Sequence, residues 1–193
     1  ENVFLNTLSK RELLSGFAEM IKHGLIADAA YYERLKIANY EALAPVEVYR
    51  SIEIKNEVVT EDPLEKGLRK ILNFGHTIGH AVESYALSNS KKPLTHGEAI
   101  AIGMVCEAYL SAKYCNLTQE ELADISKYIL SIYPKYNIKE KSFDTLLALM
   151  QSDKKNEDGN IMFSLLEKIG KCTFNCRVTN DDIKSSLIYY NSL

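Results

Sequence analysis

One stretch limits what this chain can fold into: Arg69-Lys-Ile-Leu-Asn73-Phe-Gly75-His76-Thr-Ile-Gly79-His80, with Glu65 ahead of it and Glu83 behind. Wound as a helix at about 100° per residue, Glu65, Arg69, Asn73, His76, His80 and Glu83 fall within an arc of roughly 80°. Leu64, Leu68, Ile71, Phe74, Ile78 and Val82 cover the other side. The spacing predicts a helix from about 64 to 87 with a broad apolar surface and one narrow polar stripe. A solvated face ordinarily reads Lys and Glu, whereas this stripe reads Arg, Asn and His. Gly75 and Gly79 lie one turn apart, and each costs about 1 kcal/mol against Ala in a helix interior. A second backbone is therefore expected to approach there. The helix that opens after His96 carries Gly97, Ala99, Ala101 and Gly103 at its front and is the expected neighbour.

The rest of the chain supplies a setting for that pair. Its 193 residues, 46% of them hydrophobic, can bury one sizeable core. A net charge of −3 and a pI near 5.9 offer no basic field, so no nucleic-acid partner is expected. No apolar run reaches the roughly 18 residues of a membrane span, and a signal peptide, a membrane partner and a location outside the cytoplasm are not expected. Glu1 and the Phe4-Leu-Asn-Thr-Leu that follows read as mid-protein text, so the chain is expected to be one excised domain with its N-terminal partner outside it. Cys106, Cys115, Cys172 and Cys176 form no CxxC pair and read as reduced thiols.

In chain order, Ser9 caps a helix that continues through Glu19, Lys22 and His23 to Gly24 or Asp28, with those three side chains on one face. Residues 28–42 read as a second helix. Pro45 opens a third to about Thr60, with apolar positions 48, 52, 55/56 and 59 at helical spacing, broken by Glu61-Asp62-Pro63. After the central helix and the 97–115 helix, Thr118-Gln-Glu-Glu121 is a capping box for a helix to about Tyr133. A short helix to Gln151 follows Ser142. Ile161–Leu166 and Cys172–Val178 read as a hairpin around Gly170, and Thr179 caps a last helix ending near Tyr190. The fold class is mainly α, with many helices and one small β-hairpin.

His76 and His80 stand one turn apart, a spacing that suits zinc, and His96 at a helix entrance and Glu19 add two further donors. Spacing leaves open which three of Glu19, His76, His80 and His96 ligate. No Glu follows His76, so this is not the protease HExxH pattern. Lys22, Lys55, Arg69 and the Lys154-Lys155 pair are cations that, if they converge on this cluster, suit a substrate with phosphate and carboxylate groups.

Five blocks carry a resemblance: Ser15-Gly-x-Ala-Glu19-x-Ile-Lys22-His-Gly; Lys55-x-x-Val-Val-x-x-Asp62; the run from Glu65 through Asn73-Phe-Gly-His76-Thr-Ile-Gly-His80 to Glu83; His96-Gly-Glu-Ala-Ile-Ala-x-Gly-Met; and Asp153-Lys154-Lys155. In this order they resemble the 3-dehydroquinate synthase family, and the Asn-Phe-Gly-His-Thr-x-Gly-His string is its most specific part. The resemblance implies the C-terminal helical domain of an enzyme that converts 3-deoxy-D-arabino-heptulosonate 7-phosphate to 3-dehydroquinate and phosphate in the shikimate pathway. It implies a divalent metal, Zn2+ or Co2+, and NAD bound mainly by an N-terminal domain absent from this chain. It also implies a homodimer for the full-length protein and no turnover by this domain alone.

Carried over by position, Glu19, His76 and His96 are the metal ligands. Lys22, Lys55, Arg69, Asn73, His80 and one lysine of the Lys154/Lys155 pair, with Lys155 favoured, meet the substrate. Pro63-Leu64 departs from the family's usual polar residues. The rival readings are another sugar-phosphate cyclase with the same ligands, a metal dehydrogenase resembling glycerol dehydrogenase, and a non-catalytic helical interaction domain in which the stripe is structural.

Overall fold

The computed structural model of the chain describes residues 5, 7–152 and 161–193. Lys154 and Lys155 lie outside the described residues. Among the described residues the architecture is eight α-helices, short 3-10 turns and one antiparallel hairpin, as the sequence predicts.

Side-chain caps fix where the helices begin. α1, Lys10–Ala27, starts at a capping box in which Ser9 Oγ accepts from the Glu12 N–H at 3.3 Å and the Glu12 carboxylate accepts from the Ser9 N–H at 2.8 Å. Asp28 ends α1 and caps α2, Ala29–Ile37, by accepting from the Tyr31 N–H at 2.9 Å. α2 is shorter than the predicted 28–42 helix. It stops at Ile37, and Asn39 caps a separate 3-10 turn, Tyr40–Ala42.

α3, Pro45–Glu61, opens on Pro45. Its inward face is Ser51, Ile54 and Val58; of the expected positions 48, 52, 55/56 and 59, Val48 packs against the core while Ile52 is 61% exposed and Lys55 and Asn56 are exposed, so the helix forms as predicted but is turned about its axis. The reason is tertiary: Ser51 Oγ meets His23 Nδ1 at 2.8 Å in the buried seam with α1.

The helix predicted over 64–87 is broken in two. The Asp62 carboxylate, at the end of α3, accepts from the backbone N–H groups of Lys66, Gly67 and Arg69 at 3.0, 2.7 and 3.1 Å. Those bonds wrap the chain into a loop in which Glu65 takes φ 54°. A 3-10 segment, Leu68–Asn73, follows. Gly75 then turns the chain at φ 79°, a conformation that glycine alone adopts readily. Only from there does α4, His76–Asn89, run.

α5, His96–Tyr114, is the axis of the core. It packs against α4, α1, α8, α6 and the hairpin, and its residues 97–108 are buried all round. The predicted close approach to α4 is present: a Cβ on Gly103 would lie 1.9 Å from the Gly75 carbonyl oxygen. α6, Gln119–Ile132, and α8, Asn180–Ser192, begin at Thr118 and Thr179 as predicted, and α7 is Phe143–Gln151. The hairpin pairs β1, Met162–Lys168, with β2, Lys171–Arg177, from Met162↔Arg177 to Lys168↔Lys171. Its turn residue Gly170 donates to the Leu25 carbonyl at 2.8 Å, which ties the hairpin to the end of α1.

Burial of Phe17, Ile21 and Leu25 along α1 contributes about 1.5–3 kcal/mol for each side chain and fixes which face of α1 is left for Glu19. All four cysteines are free thiols. Among the described residues, no helix is long and apolar enough to cross a membrane.

Candidate metal centre

Three helices bring their polar residues to one point. Glu19 lies midway along α1. His76 and His80 occupy the first two turns of α4, directly after the Gly75 turn. His96 is the first residue of α5, placed by Thr95, whose hydroxyl accepts from the Glu98 N–H at 3.3 Å while Glu98 Oε2 accepts from the Thr95 N–H at 2.7 Å. Glu98 also receives a fork from Arg11, with Nε at 3.0 Å and Nη2 at 2.6 Å, and Arg11 Nη2 lies 2.6 Å from the Pro93 carbonyl oxygen. The start of α5 is thus clamped to the start of α1. Gly97 completes the contact: its N–H donates to Ser15 Oγ at 2.9 Å, and a Cβ there would lie 2.2 Å from the Ser15 carbonyl oxygen.

The three imidazoles are mutual neighbours. Ring centroids lie 5.1 Å apart for His76–His80, 5.4 Å for His76–His96 and 5.7 Å for His80–His96. In two of them the second-ring nitrogen is already committed. His76 Nδ1 lies 3.1 Å from the Phe74 carbonyl oxygen, which can only accept, and His96 Nδ1 lies 3.0 Å from Glu83 Oε2. Both Nδ1 atoms therefore carry the proton, and both Nε2 atoms present lone pairs.

Those lone pairs face Glu19 Oε1, at 3.4 Å from His76 Nε2 and 3.6 Å from His96 Nε2. Oε1 is buried and has no hydrogen-bond partner among the described residues. The other oxygen, Oε2, accepts from Lys22 Nζ at 2.7 Å. Burial alone raises the Glu19 carboxyl. The Lys22 ammonium, and the facing imidazoles of His76 and His96 whenever Nε2 also carries a proton, outweigh it and hold the group well below the usual carboxylate range. His76 is lowered, chiefly by burial, and His96 is raised, chiefly by Glu19.

A buried oxygen without a donor, faced by two outward imidazole lone pairs, is an arrangement that a cation completes. Zn–N and Zn–O bonds of about 2.0–2.2 Å place tetrahedral ligands roughly 3.3–3.5 Å from one another, close to the two separations seen here. Two imidazoles and a carboxylate also suit Co2+. The residues present fit the metal. His80 lies within the same cluster: its ligating nitrogen and those of His76 and His96 all fall within 4.8 Å of one another. Distance alone thus admits either Glu19 or His80 as the third ligand, and the unpartnered Oε1 of Glu19 favours Glu19.

The other expected site residues divide. Lys22 is buried, 3% exposed, against Glu19. Lys55 is exposed on α3 and near enough to lower the His23 imidazole electrostatically. Arg69 and Asn73 are held by their own loop: Arg69 Nη1 donates to the Pro63 carbonyl at 2.9 Å, and Asn73 Nδ2 donates to Glu65 Oε1 at 2.9 Å. A cavity of about 200 Å³ beside His80 is lined by Thr77, Ser84, Leu149, Met150 and Ser152.

The sequence reading gave no role to Glu83, which orients His96, to Arg11, which clamps Glu98, or to Glu107. Glu83 stood in the predicted polar stripe, and the Thr95/Glu98 capping box was readable from its spacing. Glu107 had no signal, because it lies in an apolar helix and its partners are backbone groups.

Two solved synthases share this architecture. One is 2-epi-5-epi-valiolone synthase from Streptomyces hygroscopicus subsp. jinggangensis, with NAD+ and Zn2+ bound. It is 26% identical, with a TM-score of 0.76, over 98% of this chain and 54% of its own. The other is 2-deoxy-scyllo-inosose synthase complexed with carbaglucose-6-phosphate, NAD+ and Co2+, 25% identical with a TM-score of 0.75, over 94% of this chain and 53% of its own. The fold and the histidine cluster place the chain in the class of these dehydroquinate synthase-like cyclases.

Within that class the chain belongs to the 3-dehydroquinate synthase C-terminal family, whose model matches residues 16–156. Among curated relatives, the 3-dehydroquinate synthase of Parabacteroides distasonis is 44% identical over 192 residues, covering 97% of this chain and 54% of the relative. That of Lysinibacillus sphaericus is 39% identical over 178 residues, covering 89% and 48%. The chain spans about half the length of the curated relatives it matches.

Proposed function

We propose that this chain is the metal- and substrate-binding domain of a 3-dehydroquinate synthase, which converts 3-deoxy-D-arabino-heptulosonate 7-phosphate to 3-dehydroquinate and phosphate in the shikimate pathway. The observation that carries the reading is the convergence of His76 Nε2 and His96 Nε2 on the unpartnered Oε1 of Glu19. Residues 1–193 act as one domain, with an NAD-binding domain preceding it in a full-length cytoplasmic homodimer. The chain alone is inactive, because half of the cleft and the hydride acceptor belong to that other domain.

Glu19, His76 and His96 would hold Zn2+ or Co2+. The chemistry such a metal would supply is polarisation of a substrate hydroxyl, with NAD on the other domain as the hydride acceptor. The chain's own residues then position the substrate. Lys22 keeps Glu19 ionised and stands beside the ligand carboxylate. Lys55, Arg69, Asn73 and Lys155 bind the phosphate and carboxylate groups, Arg69 through a planar fork that matches either anion. His80, beside the two ligating imidazoles and open to the cavity of α4 and α7, contacts the substrate rather than the metal. Fixing both anionic ends brings the reacting carbons of the opened chain together for ring closure, which is catalysis by positioning.

A second reading, a cyclase acting on another sugar phosphate, is favoured by the solved structures, which are synthases of other names. The curated relatives are more similar in sequence, at 39–44% identity against 25–26%, and support the first reading. The test is phosphate release from 3-deoxy-D-arabino-heptulosonate 7-phosphate by the full-length protein with NAD and Zn2+, with and without His96→Ala. Metal-dependent release that the variant loses is expected. No release from folded, metal-loaded, NAD-bound protein overturns the substrate assignment, and absence of stoichiometric metal overturns the centre itself.

A further inference from the structure

A carboxylate that the proposed reaction does not use sits directly behind the metal centre. Glu107 is on α5 and wholly buried, 0% exposed. Its Oε2 accepts from the Gly75 N–H at 2.6 Å and its Oε1 from the Ile78 N–H at 3.0 Å. These amides flank His76: one belongs to the residue that turns the chain at φ 79°, the other lies in the first turn of α4. Gly75 itself, as the residue before α4, gives that helix no side-chain cap. A carboxylate from another helix takes that place and sits where the α4 dipole favours an acceptor.

The backbone of Glu107 is fixed as well. Its carbonyl accepts from Ser111 Oγ at 2.6 Å, and Ser111 Oγ in turn accepts from the Leu166 N–H of the hairpin at 2.9 Å. Next to it, Gly103 leaves no space between α5 and the Gly75 carbonyl. The direction of His76 Nε2 thus depends on a turn that two residues one turn apart on α5 hold, Gly103 by contact and Glu107 by hydrogen bonds.

We infer that Glu107 is a positioning residue of the metal centre: it fixes the Gly75 turn and the first turn of α4 so that His76 meets Glu19 and His96 in ligating geometry. This rests on the metal reading above. Outer partners of ligands typically change metal affinity 10- to 100-fold. Glu107 differs from such a partner in acting on the ligand's backbone rather than on its ring.

The experiment uses the full-length protein and two readouts, amide hydrogen exchange without metal and Co2+ titration followed by the visible absorption of the bound ion. Glu107→Gln keeps the shape but turns an NH2 group toward one of the two N–H donors. It is expected to speed exchange at Gly75 and Ile78 at least about tenfold, and to weaken Co2+ binding about tenfold with a changed spectrum. Glu107→Asp, which retains a carboxylate, is expected to fall between wild type and Glu107→Gln. Leu187→Ala, a cavity in the α5–α8 contact, controls for general destabilisation and is expected to leave the Co2+ spectrum unchanged.

A folded Glu107→Gln protein with wild-type Co2+ affinity and spectrum overturns the proposal. So does a Leu187→Ala spectrum changed as much as that of Glu107→Gln. A wild-type protein that takes up no Co2+, or a His96→Ala protein that binds it as wild type does, strikes the metal assignment instead. The exchange rates at Gly75 and Ile78 then still decide whether Glu107 sets the turn.

Discussion

The two halves of the polar stripe, Glu65–Asn73 and His76–Glu83, are alike in spacing along the chain and unlike in the folded molecule. In the second half, His76 and the Glu83–His96 pair are each fixed by a committed Nδ1 hydrogen bond and aimed at Glu19. In the first half, Arg69 and Asn73 bond to Pro63 and Glu65 of the same loop, and Asp62 holds the loop backbone. Gly75 divides them. A metal centre needs ligands fixed to a fraction of an ångström before the ion arrives, and packed helices supply that. Groups that receive a charged substrate must exchange loop partners for substrate oxygens, and a short capped loop permits it.

The sharpest way to break the comparison is to remove a group from the rigid half. Glu19→Ala is expected to lower Zn2+ or Co2+ affinity by more than about 100-fold in chelator competition, beyond the range typical of outer partners. The same variant removes the carboxylate that buried Lys22 bonds to at 2.7 Å, so lost thermal stability in the metal-free protein is expected too. Unchanged affinity in Glu19→Ala would transfer the third ligand to His80. Next in size is Gly103→Ala. Its methyl would lie 1.9 Å from the Gly75 carbonyl oxygen and 2.8 Å from the Gly79 nitrogen, backbone atoms that cannot rotate away. A loss of about 3 kcal/mol or more in urea unfolding is expected, and a loss below about 1 kcal/mol would show that α4 and α5 can part without cost. Glu83→Gln, which removes the charge behind His96 and keeps an acceptor, is expected to cost about tenfold in metal affinity.

How much of this was legible in the sequence follows from the same division. Ser9, Thr118 and Thr179 announce helix starts through local spacing, and all three cap as expected. The close approach of α4 and α5 was readable from glycines that a helix interior disfavours. What failed was continuity. The period of the 64–87 stretch fits a single helix, but Asp62 bonds to three backbone amides ahead of it, and Gly75 is bonded to Glu107, 32 residues away. Periodicity is a local quantity and does not register partners that arrive from another helix. The α3 face was misjudged for the same reason, since a buried serine opposite His23 outranked an isoleucine.

A smaller effect separates the layer behind the rigid half from the centre itself. His23 is 3% exposed, and burial, helped by Lys22 and Lys55, pushes its imidazole down to about 3. An unfolded histidine titrates near 6.5. Between those values the unfolded chain binds a proton that the folded one refuses, so His23 favours unfolding increasingly as the pH falls below about 6.5. His23→Asn is expected to reduce the loss of stability between pH 7 and pH 4, measured by urea unfolding at each pH. Equal slopes for the two proteins would mean that the ring is protonated in the fold or solvated by an internal path.

The smallest effect expected on the domain itself comes from the adaptable half, and it tests the comparison most directly. Arg69 is partly exposed and donates to the Pro63 carbonyl, while its own backbone N–H, not its side chain, bonds to Asp62. Arg69→Ala therefore leaves the Asp62 loop hydrogen bonds in place. Metal affinity is expected to stay within about twofold of wild type and unfolding free energy within about 0.5 kcal/mol, the ordinary range for surface substitutions. In the full-length protein the same change is expected to raise KM in phosphate release, by about tenfold for a lost charge-assisted fork, with Arg69→Lys restoring part of it. A variant that disturbed the metal as much as the substrate would mean that the two halves act as one rigid body across Gly75. An unchanged KM would mean that Arg69 serves only its loop.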